Sequence, residues 1–271
     1  MAELIAMTDL YREAAEGWAS GAELVYLPLA HALVASSPIA LAGRRMLDVG
    51  AGTGAGSTAL LAVGADPVAV DVSIDMLRHD RARRPPALVA DVLRLPLADA
   101  AVRGALAPFV LNHLDRPVDG PVDGLREVAR VVEPGGVVLV SSFSSADRPA
   151  VKDLIDGVVV GHGWQPPASY AWIKDHALDL LGSADRMAEV ATASGLVDVQ
   201  VIEGPVAVGV SSAPELVAFR LGMAHVAAYL ASLDPDQRYA IVAEAEAVIE
   251  AEHDGSDLAP HVVFLAARVA G

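Results

Sequence analysis

The chain has 271 residues, 54% of them hydrophobic and 20% charged, which is ample material for one buried core and excludes general disorder. Its 19 basic residues against 35 acidic ones leave a formal net charge of −16 and an isoelectric point near 4.7, a far field that repels phosphate backbones and anionic lipid. Nucleic acid and membrane are therefore not expected as partners, and the lack of cysteine excludes disulfides, thiolate metal sites and cysteine nucleophiles.

At the amino terminus Met1-Ala2-Glu3-Leu4 carries an acid where a secretory signal needs basic residues, so a cytoplasmic location is expected. The uncharged stretch 24–43 is nearly long enough to span a bilayer. It holds Pro28, His31, Ser36, Ser37 and Pro38, which would break or hydrate such a span, and it reads as a buried helix and a turn.

From Arg45 onward short Val-rich runs alternate with helical stretches, the pattern of a parallel sheet built from βαβ units. Strands are expected at 46–49, 68–72, 88–90, 105–107 and 137–141, with helices at 57–63, 74–83 and 124–132. The basic run Arg78-His79-Asp80-Arg81-Ala82-Arg83-Arg84 reads as a solvated helix face. The tandem Pro117-Val118-Asp119-Gly120 and Pro121-Val122-Asp123-Gly124 is placed in a surface loop, where duplications are best tolerated. Beyond the fifth strand come a helix at 151–160, an aromatic-rich segment from Trp164 to Trp172, a helix at 183–194 and a strand at 197–208. Ser212 with Glu215 and Asp234 with Gln237 fit capping boxes opening long helices, and a last strand is expected at 262–267. A late strand, a helical insertion and a final strand suggest a reverse hairpin at one sheet edge.

The strongest signal is Asp48-Val49-Gly50-Ala51-Gly52-Thr53-Gly54, directly after a strand and before a helix. Such a turn lets backbone approach a ligand closely, with helix amides facing it. Asp48, two residues before the first glycine, would repel a pyrophosphate but suits a cationic ligand. The next strand ends in Asp71, an acid able to accept both hydroxyls of a ribose. Together these favour a nucleoside that carries positive charge and no phosphate, the character of S-adenosylmethionine.

In order along the chain follow Val70-Asp71-Val72-Ser73 with Met76-Leu77, Val89-Ala90-Asp91-Val92 with Leu95-Pro96-Leu97, Phe109-Val-Leu-Asn-His113, and Leu125-Arg-Glu-Val-Ala-Arg-Val-Val-Glu-Pro-Gly-Gly136. As a set these motifs, over residues 44–142, resemble class I S-adenosylmethionine-dependent methyltransferases of the small-molecule type, related to those of ubiquinone and menaquinone biosynthesis. The resemblance implies an α/β fold: a doubly wound, seven-stranded, mostly parallel Rossmann-like sheet with a reversed edge strand, a helical N-terminal cap and helical insertions. One globular domain then comprises the cap (1–43), the cofactor-binding core (44–148), a lid and acceptor-site insertion (149–195) and an edge hairpin with inserted helices (196–271).

The resemblance also implies roles. Gly50, Ala51, Gly52 and Gly54 line the methionine portion of S-adenosylmethionine, with Asp48 near its ammonium; Asp71 and Val72 hold the ribose side; Met76 packs on the adenine; Asp91 accepts from the adenine amino group and Val92 borders the ring. Backbone around Pro108 caps the methionine end, and the segment from Tyr11 to His31, with Trp18 and Tyr26, covers the cofactor. One departure is Val102-Arg103-Gly104, where such sequences often open the fourth strand with an acid.

Methyl transfer from a sulfonium is an in-line displacement, so the protein mainly aligns the acceptor and excludes water. A base is needed only where the acceptor must lose a proton, and His113 and His162 are the candidates. Trp164, Tyr170 and Trp172 are expected to line the pocket of a small, largely apolar acceptor. No metal site is expected. Two other readings remain open at this point: a protein of this fold that binds the cofactor without methylating, such as a cyclase or binding protein, and a nicotinamide-dependent oxidoreductase, against which Asp48 argues.

Overall fold

The computed structural model describes residues 11, 14–114, 120–146, 149–168, 170 and 178–271. Seven strands form one sheet: β1 (Arg45–Val49), β2 (Asp66–Asp71), β3 (Ala87–Val89), β4 (Val102–Pro108), β5 (Val132–Phe143), β6 (Leu196–Pro205) and β7 (His261–Val269). Their spatial order is β3-β2-β1-β4-β5-β7-β6. Strands β3, β2, β1, β4 and β5 pair in parallel, while β7 runs antiparallel between β5 and the edge strand β6. The C-terminal hairpin thus caps one side of a sheet whose chain reverses direction across β1 and β4, where open α/β sheets bind ligands.

Helices cover both faces. They are α1 (Glu23–Ala35), α2 (Ala55–Ala62), α3 (Ile74–Arg78), α4 (Gly120–Val131), α5 (Ala150–Gly161), α6 (Leu178–Leu181), α7 (Ala184–Ala193), α8 (Ala213–Leu221), α9 (Ala224–Ala231) and α10 (Pro235–Glu252). Alternation along the strands divides the core. Met46, Leu106, Val137 and Leu139 pack with α1, α5, α8 and α10, whereas Leu47, Ala105, Val138 and Val140 pack with α4 and α7. Both capping boxes form, at Ser212 with Glu215 and at Asp234 with Gln237. Ahead of α1 a π-helical turn, Trp18–Ala22, packs against α8 and brings Trp18 over the sheet's C-terminal edge. Among the described residues no helix is long and apolar enough to cross a membrane.

Two local expectations are corrected. The helix expected at 74–83 ends at Arg78, because Asp80 turns at φ +43° and Pro85 biases Arg84 away from helical backbone. The second copy of the tandem repeat opens α4 instead of lying in a loop, with Gly120, Pro121 and Gly124 buried; residues 117–119 lie outside the described set. Strand β4 forms despite lacking an acid at its start, and Arg103 on it pairs with Glu133 at 2.9 Å.

Candidate active site

A cavity of about 160 Å³ opens at the carboxyl ends of β1, β2 and β4. Its walls carry Gly50, Ala51, Gly52 and Thr53 from the glycine turn, Asp71 and Val72 from the end of β2, Met76 from α3, Asp91 and Val92 after β3, and Pro108 and His113 after β4. The helical cap closes it with Tyr11, Trp18 and Tyr26. Of the cofactor-side residues expected from sequence, only Asp48 and Gly54 do not line it.

Asp71 holds the turn. Its Oδ2 accepts from the backbone N–H of Gly52 at 2.8 Å and its Oδ1 from that of Ser73 at 2.7 Å. Burial pushes this carboxyl above its ordinary range, and those two N–H groups and the Arg84 guanidinium pull it back. Asp91 is anchored by its own turn, with Oδ1 accepting from Leu93 N–H at 2.9 Å. Met76 is buried, its backbone N–H held by the N-cap hydroxyl of Ser73.

Asp48 lies one layer beneath the turn. It is fully buried, its Oδ2 accepts from Ser57 Oγ at 2.6 Å, and its Oδ1 has no partner among the described residues. A side chain at Gly56 would place Cβ 2.3 Å from that Oδ1, so glycine there lets α2 start directly over the acid. Burial raises the Asp48 pKa to about 6, against hydrogen bonds from Ser57. A carboxyl whose folded pKa is raised costs stability increasingly as pH climbs from its unfolded value through the folded one. From 3.8 to about 6 this amounts to roughly 2–3 kcal/mol, present in full above about pH 7. Asp48→Asn is therefore expected to gain on the wild type by that amount between pH 4 and pH 8 in thermal or urea denaturation. A stability difference that is the same at both pH values contradicts this.

Elsewhere on the cavity wall, the Tyr11 hydroxyl lies 3.0 Å from His113 Nδ1, and the two rings stack. Burial lowers His113 to about 4, while burial, with Tyr26 and Asp71 nearby, raises Tyr11. At neutral pH the imidazole is uncharged and the hydroxyl keeps its proton, so the two share one hydrogen bond whose donor follows the imidazole tautomer. Trp18 and Tyr26 sit 4.9 Å apart, Tyr26 meets Phe109 edge-on at 5.2 Å, and Phe109 and Phe143 lie 4.6 Å apart. Phe109 adopts φ +55°, a strained backbone for a side chain of this size, at the point where β4 gives way to the site.

His162, Trp164 and Tyr170 do not join this cavity. His162 caps the C-terminus of α5, with Nε2 2.8 Å from a carboxylate oxygen of Glu244 on α10. Trp164 is only 4% exposed, and its indole donates to the backbone carbonyl of His225 at 3.1 Å. Tyr170 stacks on His225 at 3.7 Å and accepts a hydrogen bond from Arg220, which itself holds Asp156 through two contacts of 2.6 Å. A large indole satisfies both its apolar area and its N–H in the core, so the aromatic concentration in sequence becomes packing between α5, α8 and α9. Trp172 lies outside the described residues.

Two participants had no reading at the turn from sequence. Glu23 on α1 accepts a short hydrogen bond from Thr53 Oγ1, tying the helical cap to the glycine turn. Arg84 reaches inward through Nη2 to the carbonyl of Gly52 at 2.8 Å and of Met76 at 3.2 Å. Pro85 after Arg84 was the available signal for the second; for Glu23 there was none.

Residues 47–140 match the family model described as "Methyltransferase domain". The chain is 40% identical over 112 residues to a demethylmenaquinone methyltransferase of Mycobacterium sp. (strain KMS), covering 41% of this chain and 47% of that protein. It thus spans about half the length of the relatives it matches. Among solved structures it resembles a SAM-dependent methyltransferase of Thermotoga maritima, with a TM-score of 0.56 at 14% identity over 97% of this chain and 98% of that one. It also resembles Haemonchus contortus phosphoethanolamine N-methyltransferase 2 in complex with S-adenosyl-L-methionine, with a TM-score of 0.54 at 17% identity over 90% and 52% of the two chains. Residues 47–140, which carry the glycine turn, are thus similar in sequence to a methyltransferase domain, on a sheet of strand order β3-β2-β1-β4-β5-β7-β6.

Proposed function

We propose that the protein transfers a methyl group from S-adenosylmethionine to a small, largely apolar molecule. The observation that carries this reading is one cavity lined by two unlike sets of residues: the glycine turn, Asp71, Asp91 and Met76, and the aromatic set Trp18, Tyr26 and Phe109 with His113. The residues fit the cofactor. Asp71 keeps lone pairs beyond the two spent on backbone N–H groups, enough to accept from a ribose diol. The turn offers bare backbone to the amino-acid portion, and Met76, Asp91 and Val92 form an apolar slot with one polar edge that suits adenine. Asp48, beneath the turn, supports a cationic ligand by its field and not by contact.

When bound, S-adenosylmethionine supplies an activated methyl group, so the chain has to align the acceptor and keep water out. The aromatic walls do this, and an apolar acceptor gains its binding from them. His113 is the proton-accepting candidate of this reading: it lines the cavity in its neutral form, while its depressed pKa makes it a weak base suited to an acceptor whose own proton is acidic. His162 and the Trp164–Tyr170 pair stand behind the site as supports of α8 and α9. Relatives named as demethylmenaquinone methyltransferases favour an aromatic ring acceptor.

The test is a screen of ring hydroxyls, quinols and amines for S-adenosylhomocysteine release and for methyl transfer from labelled cofactor. With a responsive acceptor in hand, Trp18→Ala is expected to lower kcat/KM for it by about tenfold or more while S-adenosylhomocysteine affinity stays within about threefold. Cofactor binding without any transfer across the acceptor classes contradicts the methylation reading. Equal loss of both affinities in Trp18→Ala contradicts the acceptor wall.

A further inference from the structure

Arg84 is placed where a surface arginine would not be. Its Nη2 bridges a carbonyl of the glycine turn and one of α3, while its Nε and Nη1 are buried without a hydrogen-bond partner. Four acids face it from four elements: Asp48 on β1, Asp71 at the end of β2, Glu23 on α1 and Asp80 in the turn after α3. Burial lowers its pKa and these carboxylates counter that, so the guanidinium stays charged. A half-buried cation with unpaired donors is a poor device for stability alone. It does sit at a point of control, because Gly52 is gripped twice, its N–H by Asp71 and its carbonyl by Arg84. Both residues that Arg84 joins, Gly52 and Met76, line the cavity.

We propose that Arg84 is a positioning residue for the nucleoside end of the site, fixing Gly52 against Met76 and setting the electrostatic field at the Asp71 and Asp48 carboxylates. The proposal rests on the reading of Asp71 as the ribose holder. Without the guanidinium, both acids hold protons to higher pH, and a protonated Asp71 is a poorer acceptor for ribose hydroxyls and for Gly52 N–H.

The experiment measures S-adenosylhomocysteine affinity by calorimetry from pH 5 to pH 8 on the full chain, with thermal melts, for wild type, Arg84→Met and Arg84→Lys. Arg84→Met is expected to weaken binding about tenfold or more near pH 7.5. Its acid limb of affinity should move to higher pH. Arg84→Lys keeps the charge and loses the two-carbonyl bridge, so its limb stays in place while affinity falls a few-fold. Wild-type binding with either folded variant unchanged overturns the proposal, as does loss of affinity in step with thermal stability and an unmoved limb in Arg84→Met. Should Arg84→Met fail to fold, the lysine variant decides by its affinity and limb. Wild type that binds no S-adenosylhomocysteine at all overturns the cofactor reading, and this proposal with it.

Discussion

Gly50→Ala is expected to weaken S-adenosylhomocysteine binding by about a hundredfold. Gly50 turns at φ +65°, where an L-residue pays about 1–2 kcal/mol. A Cβ there would stand 2.5 Å from Val110 Cγ2 and 2.7 Å from Val110 Cβ. The second distance matters more, because a Cβ cannot rotate away and the backbone carrying Val110 must shift instead. Overpacking of this kind costs about 1–3 kcal/mol, and it falls on two walls of the same cavity. Pairing the change with Val110→Gly, which removes Cβ as well as Cγ2, is expected to recover the steric share and leave the conformational one. Wild-type affinity in Gly50→Ala refutes the role of the turn; no recovery in the double variant refutes the contact.

Asp71→Ala is expected to cost at least as much. It removes a carboxylate that accepts from Gly52 and Ser73 and, in the proposed complex, from the ribose. Charge-assisted bonds of this sort are worth about 1.5–3 kcal/mol each, so affinity is expected to fall by about a hundredfold or more. Asp71→Asn should fall between the alanine variant and wild type. Calorimetry with 5′-methylthioadenosine, which keeps the ribose and lacks the amino-acid portion, isolates the contact: the loss should match that for S-adenosylhomocysteine. A folded Asp71→Ala protein that binds either ligand normally would remove Asp71 from the site.

Most of the sheet was legible because its strands are short Val-rich runs with helices between them, and buried parallel strands leave little else that such runs can be. The place of Asp71 on the cavity wall was legible for a related reason: an acid ending a hydrophobic strand after a glycine turn lies at the carboxyl edge of the sheet, beside that turn. Arg84 was not, since a basic run reads as solvent-facing until the backbone is known to leave the helix at Arg78 and fold back to Gly52. Trp164 and Tyr170 misled in the opposite direction. Three aromatics within nine residues look the same in sequence whether they line a pocket or fill a core, and the decisive contact, with His225, lies 61 residues away for Trp164. The aromatic wall that the cavity does have is assembled from Trp18, Tyr26 and Phe109, which sequence scatters over two regions.

In the proposed function the cavity recognises an adenosyl ligand carrying positive charge and no phosphate. It is tested most directly by isothermal calorimetry of the purified protein against S-adenosylmethionine, S-adenosylhomocysteine and NAD under one set of conditions. Saturable binding of both adenosyl ligands at one site per chain, with no heat from NAD, is expected. Saturable binding of NAD, with neither adenosyl ligand bound, contradicts it.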